Sequence, residues 1–243
     1  MCYFNSLVAP KGATITLSGT TKQLDPTNRP LQSGFSYHNW PIVKSSTQNF
    51  TIENAHWELI APWVKTTQEV QVGREKFNTL NATAERLFES KLFKPAALNN
   101  RCLVLSSGFY EWRHYKPAGA IKEIAYPYFI TIKEQSLFYM AGIFQPWTDK
   151  ETGETMDTFS IVTTKANAFM EQIHNKKKRM PTILTEAQAS EWLNPCLSES
   201  KIMELASITY DANQLSAYTL DKSFRTASNP MEAFNYPELP GLI

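Results

Sequence analysis

Four stretches between residues 102 and 164 constrain the fold most: CLVLSSGFYEW (102–112), YPYFITI (126–132), SLFYMAGIF (136–144) and TFSIVTT (158–164). Each is dense in β-branched and aromatic side chains, which suit a pleated, half-buried surface. Gly108 should bend the first stretch, and the second and third read as two paired strands. Helical signals are few and local. AERLFESKLF (84–93) puts Leu87, Phe88 and Leu92 on one helical face. Ala166, Phe169, Met170 and Ile173 also recur at helical spacing and lead to His174 at a helix C-terminus. Thr185 followed by Gln188 is a capping-box pattern for a helix ending near Trp192, and residues 199–207 look helical. The first 50 residues are polar and turn-rich, FSYHNWP (35–41) is extended up to its proline, and about 208–243 reads as an irregular tail. No repeat, linker or charge block divides the chain. The expected fold is α+β: one mixed domain over residues 1–243, with a curved antiparallel, barrel-like core and a few flanking helices.

Composition narrows the function classes. The 243 residues carry 24 Lys+Arg and 23 Asp+Glu, a net charge of +1, so nucleic-acid binding must come from a local patch. No apolar stretch approaches the ~18 residues that span a bilayer, and the N-terminus has no basic-then-apolar leader pattern. No membrane association is expected. The three cysteines, Cys2, Cys102 and Cys196, form neither a disulfide framework nor a C-x-x-C metal site. Free thiols suit a reducing compartment, so a cytoplasmic protein with no metal or other cofactor is expected. No apolar stripe argues for self-association, which favours a monomer.

Five features could carry chemistry. Cys2 would become an N-terminal 1,2-aminothiol if Met1 were removed. Such a group condenses with an aldehyde and closes a thiazolidine, or attacks a carbonyl as an N-terminal nucleophile. A chance cysteine is the simpler reading of that residue alone. Glu111, in GFYEW (108–112), either sits among aromatics with a raised pKa or turns to solvent by strand alternation. His174 precedes the basic run Lys176–Arg179 and is either a proton shuttle beside a phosphate-attracting patch or a histidine favoured by the helix dipole. Asn81 either caps the following helix or bonds a reacting group. Tyr37, Trp40, Trp57 and Trp63 are either core or a platform for unstacked bases.

Taken together and in order, Met-Cys, W-x-L-x-x-x-W (57–63), N-A-x-x-E (81–85), R-C-L…G-F-Y-E-W (101–112) and I-H…R-M-P-x-I-L (173–184) resemble the SRAP family, from Cys2 to about Trp192. SRAP stands for SOS response-associated peptidase. The resemblance implies a sensor of abasic sites in single-stranded DNA, acting in the DNA damage response. Its N-terminal cysteine links to the ring-opened deoxyribose as a thiazolidine, with a weak lyase side activity. It implies site roles for Cys2, Asn81, Glu111 and His174, and DNA contacts by Trp63, Arg179, Tyr37 and Pro41. It further implies a working place on the nucleoid, with the replication machinery as a candidate partner. The chain departs from the pattern in four places. Thr83 replaces the arginine of N-A-R, with Arg86 as a substitute nearby. Lys91 stands for the arginine of S-R-x-F. His38 follows Tyr37 in place of asparagine. H-x-R-M-P is stretched by three residues to H-N-K-K-K-R-M-P. Two rival functions remain: a thiol peptidase or autoprocessing protein, for which Met1 alone ahead of Cys2 leaves no propeptide, and a non-catalytic single-strand-binding module.

Overall fold

The computed structural model describes residues 2–47 and 49–242. In chain order the elements are β1 (Phe4–Ala9), β2 (Thr14–Leu17), β3 (Thr20–Gln23), β4 (Thr27–Ser33), β5 (Asn39–Ser46), β6 (Asn49–Trp57), α1 (Thr67–Arg74), β7 (Asn81–Thr83), α2 (Phe93–Asn99), β8 (Arg101–Ser106), β9 (Gly108–Tyr115), β10 (Ile124–Ile132), β11 (Phe138–Thr148), β12 (Thr155–Lys165), α3 (Ala168–Ile173), β13 (Arg179–Pro181), β14 (Ile183–Leu184), α4 (Glu186–Trp192), α5 (Glu199–Ala206) and β15 (Leu215–Thr219).

The expected α+β fold with a barrel-like core is the one observed. Strands β12, β6, β5, β8 and β11 pair in that order, and β11 pairs back to β12, closing a five-strand barrel. Closure removes the open edges that a free sheet would expose. Only the short β12–β6 contact is parallel within the ring. Within the buried core Trp57 stacks on Phe159 at 6.0 Å, and Trp40 packs tilted against Trp57 at 6.2 Å. Both indole N–H groups are satisfied, as burial requires: Trp40 donates to the Leu105 carbonyl at 2.8 Å and Trp57 to the Leu80 carbonyl at 3.1 Å.

A second, antiparallel sheet runs β15-β10-β9-β1-β4. The two sheets meet at Ser106–Gly108, where the expected glycine bend separates β8 of the barrel from β9 of the second sheet. A Cβ at Gly108 would lie 2.2 Å from the Phe129 ring, so only glycine lets β9 start flush against β10. The Ser106 hydroxyl accepts from the Gly108 N–H at 3.1 Å and donates to Asn5 Oδ1 at 2.7 Å. This joint fixes the first strand of the chain against β9.

The structure corrects several expectations. The second and third strand stretches do not pair with each other. Both edges of β10 are taken by β9 and β15, and both edges of β11 by β8 and β12, so the short connection joins two sheets. No helix spans 84–93. A 3-10 turn covers Ala84–Arg86, and α2 begins only at Phe93, after Ser90 Oγ accepts from the Leu92 and Phe93 N–H groups at 3.3 and 3.4 Å. Asn81 is no helix cap, because β7 pairs beside β12 (Ile161↔Asn81). The turn-rich start is mostly strand, and the tail supplies β15, paired along β10 from Tyr128↔Thr219 to Ile132↔Leu215. The capping box at Thr185 and Gln188 is present with both reciprocal bonds.

Candidate active site

Cys2 immediately precedes β1 and is fully buried, with its thiol directed to the Phe4 carbonyl at 3.6 Å. The Tyr3 carbonyl accepts from the Gly34 N–H at 2.8 Å, which ties the start of the chain to the end of β4. Register on the other side is set by Asn5↔Phe109 and Ser6↔Gly108. Glu111, two residues further along β9 from Phe109, acts by its charge on Tyr3 as well as on Cys2. Burial, and then the neighbouring Glu111 charge, push the Cys2 thiol well above its ordinary range. Met1, whose removal the aminothiol reading needs, lies outside the described residues.

Glu111 does not face solvent. Gly108–Glu111 are buried at every position, so alternation gives way to a strand start covered on both faces. Glu111 is only 4% exposed, and burial raises its pKa to about 7. Its Oε2 lies 3.7 Å from His174 Nε2. His174 is the C-cap of α3, a helix started by Asn167, whose side chain accepts from the Met170 N–H at 2.8 Å. Burial lowers the His174 pKa to about 4. Its Nδ1 lies 2.8 Å from the Arg179 carbonyl and 3.4 Å from the Arg179 N–H; the shorter contact, to a group that can only accept, favours a hydrogen on Nδ1 and leaves the Nε2 lone pair toward Glu111. Burial thus favours the neutral acid at Glu111 and the neutral imidazole at His174, so the pair offers a proton donor beside a proton acceptor.

Asn81 is 6% exposed, yet neither its amide oxygen nor its amide nitrogen has a hydrogen-bond partner. A buried primary amide with no bond is costly, which marks it as aimed at something the protein does not supply. Its neighbour Leu80 packs on Gly34, where an added Cβ would sit 3.1 Å from Leu80 Cδ1. Through Gly34 this segment reaches Tyr3 and Cys2. On the far side of β12, Arg179 donates to Glu85 at 2.7 Å and to the Thr163 carbonyl. The acidic residue of N-A-x-x-E is thus joined to the arginine of R-M-P. Among the described residues, no group of three or more His, Cys, Asp and Glu side chains could hold a metal ion.

The family model for "SOS response associated peptidase (SRAP)" matches residues 8–226. The chain belongs to the SRAP family. The abasic site processing protein YoqW of Bacillus subtilis (strain 168) is 34% identical over 198 residues, spanning 82% of this chain and 79% of that protein. The abasic site processing protein HMCES of Pongo abelii is 30% identical over 161 residues, which is 57% of this chain and 44% of that protein. A crystal structure of a protein from Bacteroides thetaiotaomicron superposes with a TM-score of 0.79 at 34% identity, covering 95% of this chain and 97% of that one.

Within the SRAP fold, the residues singled out in the sequence divide into two groups. Cys2, Glu111 and His174 come together at the start of the chain, whereas Asn81 connects to it through Leu80 and Gly34. The residues carried over as DNA contacts are scattered. Arg86 and Lys91 are exposed, and Trp63 is 57% exposed on the turn leading to α1. Pro41 is a correction: it is buried within β5 opposite Asn54, and presents no surface to DNA. Tyr37 is half-buried in a left-handed conformation (φ 54°), and the Arg74 guanidinium covers its ring at 3.6 Å. Sequence reasoning passed over Glu58, which is 6% exposed and paired with Arg74 at 2.8 Å. Its signal was a carboxylate inside the apolar run HWELIAPW, the same signal that drew attention to Glu111. It also passed over Asn175, whose amide bonds the backbone of His114 on β9 at 3.0 and 2.7 Å.

Proposed function

We propose that this SRAP protein captures abasic sites in single-stranded DNA as a covalent adduct at Cys2. The observation that carries this reading is the fully buried Cys2 thiol next to Glu111, whose carboxyl lies 3.7 Å from His174. The relatives named as abasic site processing proteins support the substrate.

An abasic sugar is mostly a closed hemiacetal. Opening it needs an acid at the ring oxygen and a base at the hydroxyl, and a proton donor beside a proton acceptor supplies both. Once Met1 is removed, the Cys2 α-amine adds to the C1′ aldehyde, and water leaves to give an imine. The Cys2 sulfur then adds to the imine carbon while its proton passes to the nitrogen, closing the thiazolidine. One water is released per adduct, and nothing is oxidised or reduced. Asn81, with its amide unsatisfied by protein, bonds the sugar and holds it in place. The imine acidifies C2′, so slow strand cleavage accompanies capture, and the same groups can reverse the bond. Peptide cleavage by Cys2 is less well served: a thiolate nucleophile needs a lowered pKa, and here burial raises it. In the cell the protein works in the cytoplasm, on nucleoid DNA exposed during replication, as part of the damage response.

The test is intact-protein mass spectrometry after mixing with a single-stranded oligonucleotide bearing one abasic site. Wild type gives a denaturation-resistant adduct and Cys2→Ala gives none. A wild-type sample shown to have lost Met1 that still forms no adduct overturns the proposal.

A further inference from the structure

The three extra residues between His174 and Arg179 form a built loop. Lys178 adopts a positive φ of 49°, a strained conformation that a non-glycine residue keeps only where its surroundings enforce it. Here they do. The Lys178 N–H donates to the His174 carbonyl at 2.8 Å, and the Lys178 carbonyl accepts from the Ala166 N–H at 3.0 Å. Asn175 spends both ends of its amide on His114: Oδ1 accepts from the backbone N–H at 3.0 Å and Nδ2 donates to the carbonyl at 2.7 Å. Strand β1 is registered against β9 only at Phe109 and Gly108, and the Asn175 amide takes up the edge that a neighbouring strand would cover further along. The loop is therefore fastened to the strand that carries Glu111.

The three lysines of the loop have different surroundings. Lys176 pairs with Glu123 at 2.5 Å, and Lys178 with Glu171 at 3.4 Å. Lys177 is exposed, has no ion pair or hydrogen bond among the described residues, and its charge acts on both Glu111 and His174. Meanwhile Arg179 is committed to Glu85, and the N-A-x position holds Thr83 rather than a cation. The loop thus brings an unpaired cation to a site whose other candidate is engaged.

We propose that Lys177 contacts the backbone phosphate beside the abasic sugar, and that Asn175 positions the loop which presents it. This rests on the abasic-DNA reading above. An ammonium on a flexible stem acts as a point charge toward phosphate, which suits a single flanking contact.

The test measures binding without chemistry. The probe is a single-stranded oligonucleotide carrying tetrahydrofuran, an abasic analogue that has no aldehyde, read by fluorescence anisotropy over a salt series. Lys177→Ala should lower the slope of log K against log salt by about 0.7, which corresponds to about five-fold weaker binding at ~0.1 M salt. Lys177→Arg should restore the slope, and Asn175→Ala should lose it although Lys177 is intact. Replacing the flanking phosphate by a methylphosphonate should weaken wild type by the same factor and leave Lys177→Ala unaffected. An unchanged slope in Lys177→Ala, or equal methylphosphonate sensitivity in both proteins, overturns the proposal. The two readings fail separately. A Lys177-dependent slope without any adduct on a true abasic site removes the capture chemistry and keeps the contact. Equal slopes with a normal adduct remove the contact alone.

Discussion

Two carboxylates, Glu58 and Glu111, occupy apolar stretches of sequence and are almost equally buried, at 6% and 4% exposure. Their surroundings drive them in opposite directions. For Glu58, burial pushes the pKa up, but hydrogen bonds from His56 and Arg74 and their charges outweigh it and hold the carboxyl low. Arg74 reaches it with Nε and Nη2 at 3.0 and 2.8 Å. For Glu111, which lies 3.7 Å from His174, burial outweighs the lowering by nearby positive charge, Lys177 included, and by the Trp112 backbone, and the pKa rises to about 7. Where hydrogen bonds and cationic charge outweigh burial the carboxylate is held in a structural ion pair, whereas where burial outweighs the nearby positive charge the carboxyl can exchange a proton near neutral pH. Burial alone does not distinguish the two.

The largest consequence concerns Glu111→Gln. Removing the exchangeable proton should slow adduct formation about 10²–10⁴-fold, measured by single-turnover gel assay. Wild type should show a bell-shaped pH–rate profile, because the acid is lost above about pH 7 and the base below about pH 4, and the variant should lack the upper limb. Stability should move the other way. A carboxyl whose folded pKa is raised contributes stability that is full below its unfolded value of about 4.5 and lost as pH rises through about 7. Glu111→Gln should therefore unfold at higher denaturant than wild type at pH 8, by about 2–3 kcal/mol, and match it near pH 4. A destabilised variant at pH 8 would mean that Glu111 is a structural partner like Glu58.

Arg74→Met supplies the opposite case. It strands the buried Glu58 carboxylate and should cost about 3–5 kcal/mol at neutral pH. In wild type the lowered Glu58 pKa gives stability that is present above its unfolded value and lost as pH falls through the folded one. The variant should therefore lose less as the pH is lowered, because protonation relieves the stranded charge. Urea unfolding at two pH values checks both points. An equal loss at both would place the role of Arg74 in its packing over Tyr37.

The comparison also explains what the sequence made legible. Strand stretches, the helix leading to His174 and the capping box at Thr185 follow from local patterns, and those elements are present. Strand partners depend on which edges remain free after long-range pairing, so the adjacent β10 and β11, which locally read as a pair, lie in different sheets. The helix expected at 84–93 failed for a similar reason: Asn81–Thr83 are held in β7 beside β12. Glu111 and Glu58 carry the same local signal, and only tertiary neighbours separate them. The ordered motifs singled out Cys2, Asn81, Glu111 and His174. They could not indicate that Pro41 is interior, or that Tyr37 lies under a guanidinium.

Tyr37 therefore gives the smallest and most discriminating expectation. Its ring is covered by Arg74 at 3.6 Å and lies nearly parallel to His56 (15°) at 6.4 Å. If the Glu58 region is structural, Tyr37→Leu should remove a partly buried cation–π contact and cost about 1 kcal/mol of stability. That loss should largely disappear in the Arg74→Met background, because a double-mutant cycle reports only the shared contact. Affinity for the tetrahydrofuran oligonucleotide should hardly change. If Tyr37 instead stacks on a base, the same substitution should weaken that binding by about 1–3 kcal/mol and leave unfolding nearly untouched. Anisotropy and urea melts on one pair of proteins thus decide whether the DNA surface extends to the Glu58–Arg74 side of the molecule or stays with the loop that carries Lys177.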